Sequence, residues 1–164
     1  RSPLDRSSAA SDVYKRQALV DGAAAAVVVH GGYLREHGLH ALARLRGAAA
    51  AGVPPEIMGI GPVPAIQALL QRAGLRLDEI GLFEVNEAQG AQTLAVAREL
   101  EIDLDRLNVN GGAIAIGHPL AATGVRATLT LARELRRRGL RYGIASACVG
   151  GGQGMALLIE NPDA

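Results

Sequence analysis

The sequence predicts an α/β fold, a mixed β-sheet covered by helices, and three observations carry that reading. Strand-patterned and helix-patterned segments alternate along the chain. The last two strand candidates are joined by a glycine-rich turn, so the chain ends in an antiparallel hairpin. Of the residues, 49% are hydrophobic, yet only one Phe, three Tyr and no Trp are present. The core must therefore be built from Ala, Val, Leu and Ile. At 164 residues the chain is long enough for one domain with a sizeable core.

Residues 1–17, R-S-P-L-D-R-S-S-A-A-S-D-V-Y-K-R-Q, differ in character from the rest. They hold Ser2, Ser7, Ser8 and Ser11, four of the five serines, and the only lysine, Lys15. They carry neither helical nor strand periodicity. The expectation is a foreign-looking or flexible leader over 1–17, with the domain over 18–164. The leader has no apolar region of the kind a signal peptide needs.

Residues 23–30 are small, apolar and β-branched and end at Gly31-Gly32, which predicts a buried strand. Tyr33 to His37 suits one or two helical turns closed by Gly38. Residues 39–51 contain four consecutive alanines, which favour a helix, between Gly47 and Gly52, which oppose it. Strand and helix stay open there. The Gly/Pro-rich connection 52–64 contains Gly59-x-Gly61, but no third glycine follows at nucleotide-loop spacing. Pro64 suits the first position of a helix with apolar face Ile66, Leu69, Leu70 and Ala73, stopped by Gly74.

Residues 82–85 predict a short strand. Asn86 then suits a helix N-cap, with Gln89 completing a capping box and Ala91, Leu94, Ala95 and Leu100 facing inward. Residues 103–107 read as a turn. After His118, the positions Ala122, Val125, Leu129, Ala132 and Leu135 predict one helix face. Arg136, Arg137 and Arg138 complement the dipole at that helix's C-terminus, and read as a solvated end. Residues 142–147 and 155–159 are the hairpin strands.

The net charge of +1 gives no electrostatic case for nucleic acid or an anionic membrane as partner. No apolar run is long enough to span a bilayer. A single cysteine excludes an internal disulfide and a cysteine-based metal cluster. No metal site is expected, and a cytoplasmic location is the default expectation.

The chemistry concentrates in two stretches. Residues 108–124 read N-V-N-G-G-A-I-A-I-G-H-P-L-A-A-T-G, with His118 held between Gly117 and Pro119. Pro119 fixes its own φ and biases His118 towards extended backbone, which sets the imidazole on a constrained corner. Residues 148–154, C-V-G-G-G-Q-G, carry the only cysteine. Asn86, His118 and Cys148 all fall at strand ends or helix starts, where open α/β sheets place ligand sites. A cysteine beside a histidine loses its proton more readily, and the thiolate is the reactive form. Residues 150–152 leave backbone N–H groups unshielded, able to face a developing oxyanion. Against this stand a satisfied core histidine, an inert buried cysteine and a plain N-cap.

At these residues the chain resembles the thiolase family. The matching segments are Asp21-Gly22-Ala23-Ala24-Ala25 from N-D-G-A-A-A, M-G-x-G-P-x-P at 58–64 and N-E-A at 86–88. N-x-N-G-G-A-I-A-x-G-H-P follows at 108–119 and C-x-G-G-G-x-G at 148–154. They stand in family order with near-identical separations, over about residues 21–160. The resemblance implies the C-terminal half of a thiolase-like fold with a mixed five-stranded sheet, and makes residues 42–51 a strand. It implies reversible Claisen condensation of two acyl-CoA molecules, or thiolysis of a 3-ketoacyl-CoA. The substrate is a coenzyme A thioester, no cofactor is held permanently, and the full-length protein is expected to form a homo-oligomer.

By the same resemblance His118 activates a nucleophilic cysteine and contributes to one oxyanion hole, where Asn86 positions a water. Cys148 is the acid/base that exchanges a proton with the α-carbon or the CoA sulfur. Gly150 offers its N–H to a second oxyanion hole, and Met58 is a pocket candidate. The chemistry is coherent: deprotonating an α-carbon leaves an enolate that needs preorganised donors.

This sequence departs from the family in definite places. The half bearing the nucleophilic cysteine is absent. The N-A-S-G segment, whose serine contacts the CoA pantetheine, gives way to residues 14–17. Gln89 replaces a frequent Phe, Ala121 replaces the glycine of H-P-x-G-A-[ST]-G, and Thr123 is a mild variation within that pattern. The expectation is a catalyst incomplete on its own. A free-standing Cys148–His118 thioester hydrolase and a non-catalytic CoA- or lipid-binding module are the alternatives.

Overall fold

Four strands form one mixed sheet in the order β1-β4-β3-β2. The computed structural model describes residues 16–164. The strands are β1, Arg44–Gly52, β2, Ile80–Val85, β3, Tyr142–Val149, and β4, Gln153–Glu160. β2 and β3 run parallel, while β4 runs antiparallel to both β3 and β1. The hairpin, the mixed sheet and the strand over residues 42–51 are as expected.

Among the described residues five α-helices accompany the sheet: α1, Gly31–Glu36, α2, Pro62–Ala73, α3, Gly90–Glu99, α4, Ala113–Ile116, and α5, Thr123–Arg138. Side chains alternate across a strand, and β2 shows it plainly. Phe83 and Val85 pack with Ile66 and Leu69 of α2 and Val96 of α3, whereas Leu82 packs with Ala127, Leu131 and Leu135 of α5. The sheet is thus sandwiched, with α2 and α3 on one face and α5 on the other. Gly143 of β3 lets α5 settle closely, because a Cβ there would meet Leu131 and Leu135 at 2.9 and 3.0 Å.

The expected fifth strand over 23–30 is not formed. Those residues lie outside any strand, and Val27 and Val28 are 91% and 73% exposed. A strand needs a neighbour for its N–H and C=O groups, and no strand of this sheet pairs with the segment. The outer edge of β2 is instead closed by Asn108, whose N–H donates to the Phe83 carbonyl at 2.9 Å.

Other expectations need correction in detail. Helix α2 begins at Pro62 rather than Pro64, and Ala73 is exposed, although Gly74 stops the helix as expected at φ 66°. Asn86 does not cap α3. Its N–H continues the parallel ladder by donating to the Ser146 carbonyl at 2.9 Å, and the helix starts at Gly90 behind Gln89. The face turned inward is Thr93, Val96 and Ala97, with Leu100 buried as expected, while Leu94 is exposed. On α5 the core face is Ala127, Leu131, Ala132 and Leu135, while Val125 and Leu129 are half-buried. At the other end of the sheet the buried Glu160 carboxylate is held by Arg44 and Arg141, each at 3.0 Å.

Of the leader, only Arg16 and Gln17 belong to the described residues. Arg16 bridges to Gln89, and the Gln17 N–H donates to the Ala88 carbonyl.

Candidate functional site

The parallel strands β2 and β3 end side by side, and two of the residues singled out in the sequence, Asn86 and Cys148, lie there. Asn86 follows β2 and is 4% exposed. Its Nδ2 donates to the Gln17 side-chain carbonyl at 3.0 Å, and its buried Oδ1 has no partner among the described residues. Cys148 lies near the end of β3, half-buried, opposite Gly154 of β4. Beyond it Gly150 is exposed at the hairpin tip, with its carbonyl accepting from Gln153 Nε2 at 3.1 Å.

His118 stands on the loop between α4 and α5. Its N–H donates to the Ala18 carbonyl at 2.8 Å, and Leu19 bridges to it in parallel fashion. The adjoining residues 17 and 18 thus tie Asn86 to His118. The imidazole Nδ1 lies 2.7 Å from Thr123 Oγ1. With Pro119, Leu120 and Ala121 on one side and residues 19–22 on the other, His118 lines an open depression of about 480 Å³. Cys148 and Asn86 are not part of that lining.

Glu87 was passed over in the sequence, yet it fastens the His118 loop to the sheet. Its Oε2 accepts from the Ile114 N–H at 3.0 Å, in the first turn of α4, and its Oε1 accepts from Asn108 Nδ2 at 2.9 Å. Gly112 makes this possible, since a Cβ there would overlap the Glu87 carboxylate. A glycine that exists to admit a carboxylate gives no periodic signal, so it is legible only from the fold.

Further glycines set the Cys148 hairpin. A Cβ on Gly154 would overlap the Gly61 carbonyl, and one on Gly152 would overlap the Val53 carbonyl. The Val53 N–H also donates to the Gly152 carbonyl at 2.8 Å. The backbone of 52–61 is thus packed directly on the hairpin. Met58, half-buried in the 3₁₀ segment Pro55–Ile60, belongs to this same packing unit.

Electrostatics separate the two reactive groups. Burial, with the charge of Arg126 second, holds His118 below the ordinary imidazole range, so it is neutral at pH 7. Burial pushes the Cys148 thiol up. The expectation that a neighbouring histidine would favour the thiolate is therefore corrected: desolvation dominates and Cys148 keeps its proton. Deeper on the α5 face, burial lifts Glu84 to about 7 despite Arg126 at 3.3 Å. Hydrogen bonds from Arg137, and then Arg138, hold Glu134 at about 2 although burial opposes them. Among the described residues no group of three or more His, Cys, Asp or Glu could hold a metal, and no helix is long and apolar enough to cross a membrane.

Comparison with known proteins bears on this arrangement. Residues 39–161 match the family model described as "Thiolase, C-terminal domain". The chain is 50% identical over 143 residues to the mitochondrial 3-ketoacyl-CoA thiolase of Homo sapiens, covering 87% of this chain and 36% of that protein. It is 51% identical over 140 residues to the acetyl-CoA acetyltransferase of Escherichia coli, covering 85% and 36%. The crystal structure of human mitochondrial 3-ketoacyl-CoA thiolase superposes with a TM-score of 0.78 at 52% identity, over 80% of this chain and 33% of that one. The same human enzyme in complex with CoA gives the same values. The chain thus spans about a third of the length of the curated relatives it matches.

Proposed function

The chain belongs to the thiolase family, and from that premise we propose that it is the C-terminal part of an acyl-CoA acyltransferase. The reaction is Claisen condensation of two acyl-CoA molecules or, in reverse, thiolysis of a 3-ketoacyl-CoA. The substrate is a coenzyme A thioester, as the CoA complex of the human relative suggests for its class. Fatty acid metabolism is the setting such chemistry serves. Residues 18–164 are the functional domain and 1–17 a foreign-looking or disordered leader, whose last residue, Gln17, rests on Asn86. The full-length protein is a cytoplasmic homo-oligomer in this reading; bacterial relatives stand beside the mitochondrial ones.

The proposed roles are those the family resemblance implies, and several features of the structure support them. His118 is a neutral base, able to take the proton of a nucleophilic thiol. Since Cys148 is the only cysteine in this sequence, that thiol comes from the rest of the enzyme. Asn86, with a buried carboxamide oxygen left free by the protein, holds a water that completes an oxyanion hole with His118. Cys148 keeps its proton at neutral pH, which suits an acid that returns a proton to an enolate carbon or a departing CoA sulfur. Gly150, exposed beyond β3, gives its N–H to the second oxyanion hole. Met58 borders the acyl pocket.

The observation that carries the reading is that Asn86 and Cys148 lie at the ends of the paired strands β2 and β3, with Gln17 and Ala18 linking Asn86 to His118. The test is acetoacetyl-CoA thiolysis, by this chain alone and fused to the N-terminal part of a relative. Turnover by the fusion only, abolished in His118→Ala, is expected. Robust turnover by the chain alone, or an inactive folded fusion, would overturn the proposal.

A further inference from the structure

Thr123, at the start of α5, is 4% exposed, and its hydroxyl makes two short polar contacts. It donates to the Pro119 carbonyl at 3.1 Å, and it lies 2.7 Å from His118 Nδ1. A hydroxyl has one proton and two lone pairs. Assigning the hydroxyl proton to the Pro119 carbonyl, the usual bond of a threonine to the carbonyl four residues back, leaves the oxygen to accept from the imidazole. In that arrangement Nδ1 carries the hydrogen, and a neutral imidazole with Nδ1–H has its lone pair on Nε2. Free histidine in water prefers the opposite tautomer, so the site reverses the intrinsic preference.

We infer that Thr123 is a positioning residue that locks His118 in its Nδ1–H tautomer and presents Nε2 as the base. The inference rests on the acyltransferase reading of His118 and deepens it. The lock has three points. The Ala18 carbonyl fixes the His118 N–H, Pro119 restricts the backbone, and Thr123 fixes the ring. When Nε2 takes a proton from a thiol, the sulfur keeps the electron pair. Nδ1 keeps its hydrogen, and the bond to Thr123 becomes charge-assisted and stronger. A hydroxyl orients the ring as a carboxylate would, without a negative charge to hold the imidazole protonated.

The test needs no turnover. In the ¹⁵N-labelled chain, a long-range ¹H–¹⁵N spectrum distinguishes protonated from unprotonated ring nitrogens, and loss of one set in His118→Asn assigns it among the four histidines. Wild type is expected to show protonated Nδ1 and bare Nε2 at pH 7.5. Thr123→Ser should preserve that pattern, and Thr123→Val, which keeps the shape without the hydroxyl, should shift it towards Nε2–H. A wild-type Nε2–H signal overturns the inference even if Thr123→Val fails to fold, as does a folded Thr123→Val with an unchanged tautomer. In the active fusion, Thr123→Val should lower kcat by about tenfold or more with KM unchanged, because a mis-set tautomer removes the base and not the binding. An Nδ1–H tautomer in a folded fusion that never turns over would sink the acyltransferase reading while the tautomer assignment stands.

Discussion

The Asn108 carboxamide pairs with both backbone groups of Val85. The Val85 N–H donates to Oδ1 at 2.8 Å, and Nδ2 donates to the Val85 carbonyl at 2.9 Å. One side chain thus stands in for the neighbouring strand that β2 lacks at its outer edge. Asn108 reaches this position in the left-handed region, at φ 48°, which Asn tolerates better than most residues.

Removing that side chain leaves the outer N–H and carbonyl of Val85 without this partner and takes one of the two hydrogen bonds of Glu87. Asn108→Ala should cost about 2–3 kcal/mol of stability in urea denaturation, the penalty for stranding part-buried polar groups. Asn108→Gly should cost less than Ala, since it relieves the backbone at positive φ while losing the same bonds. Equal costs would mean that the conformation contributes nothing.

The two kinds of glycine near Cys148 should respond differently. Gly154→Ala drives a methyl into the Gly61 carbonyl, and should cost at least about 1–3 kcal/mol and loosen the hairpin. Gly151→Ala meets nothing closer than Gln153 Nε2 at 3.8 Å and carries only the strain of φ 84°, about 1 kcal/mol. Thermal denaturation of both variants checks the order.

Glu84 should impose a pH dependence on stability. Its folded-state carboxyl titrates at about 7 against an ordinary 4.5, because burial outweighs a single contact from Arg126, whose Nε is itself unpaired. Between those values the folded chain holds a proton that the unfolded chain has released. Stability therefore falls as pH rises from 4.5 to 7, by up to about 3 kcal/mol, and Glu84→Gln should remove the slope. Glu134 acts elsewhere: its stabilisation is present above 4.5 and is lost as pH falls towards about 2. Urea titrations from pH 4.5 to 8 isolate the first effect.

Cys148 should behave as a reluctant nucleophile. Its burial-raised pKa predicts alkylation by iodoacetamide with a midpoint above that of a free cysteine, and slow labelling at pH 7.5. A midpoint near neutrality would contradict the acid role proposed for it.

Much of this arrangement was legible in the sequence because it follows local rules. The hairpin announced itself through two strands around three glycines, and α2 through a proline start and a glycine stop. What failed depended on neighbours. Residues 23–30 have strand composition, but composition cannot supply a partner. Asn86 looked like a cap because Asn and Gln89 have the right spacing, yet its N–H was already committed to Ser146. On α5 the pattern is apolar on more than one side, and only contact with β2 and β3 decides which side faces the sheet. His118 and Cys148 stood out by type and setting. Thr123, Glu87 and Gly112 matter through contacts, which spacing does not reveal.

Gly143 has a reach beyond its own strand. It seats the C-terminal half of α5, through Leu131 and Leu135, while Thr123 is the first residue of the same helix. Sixteen residues make a rod about 24 Å long. A methyl at Gly143 would press on the leucine side chains that seat this rod, and the residue whose hydroxyl lies against the imidazole stands at the rod's other end.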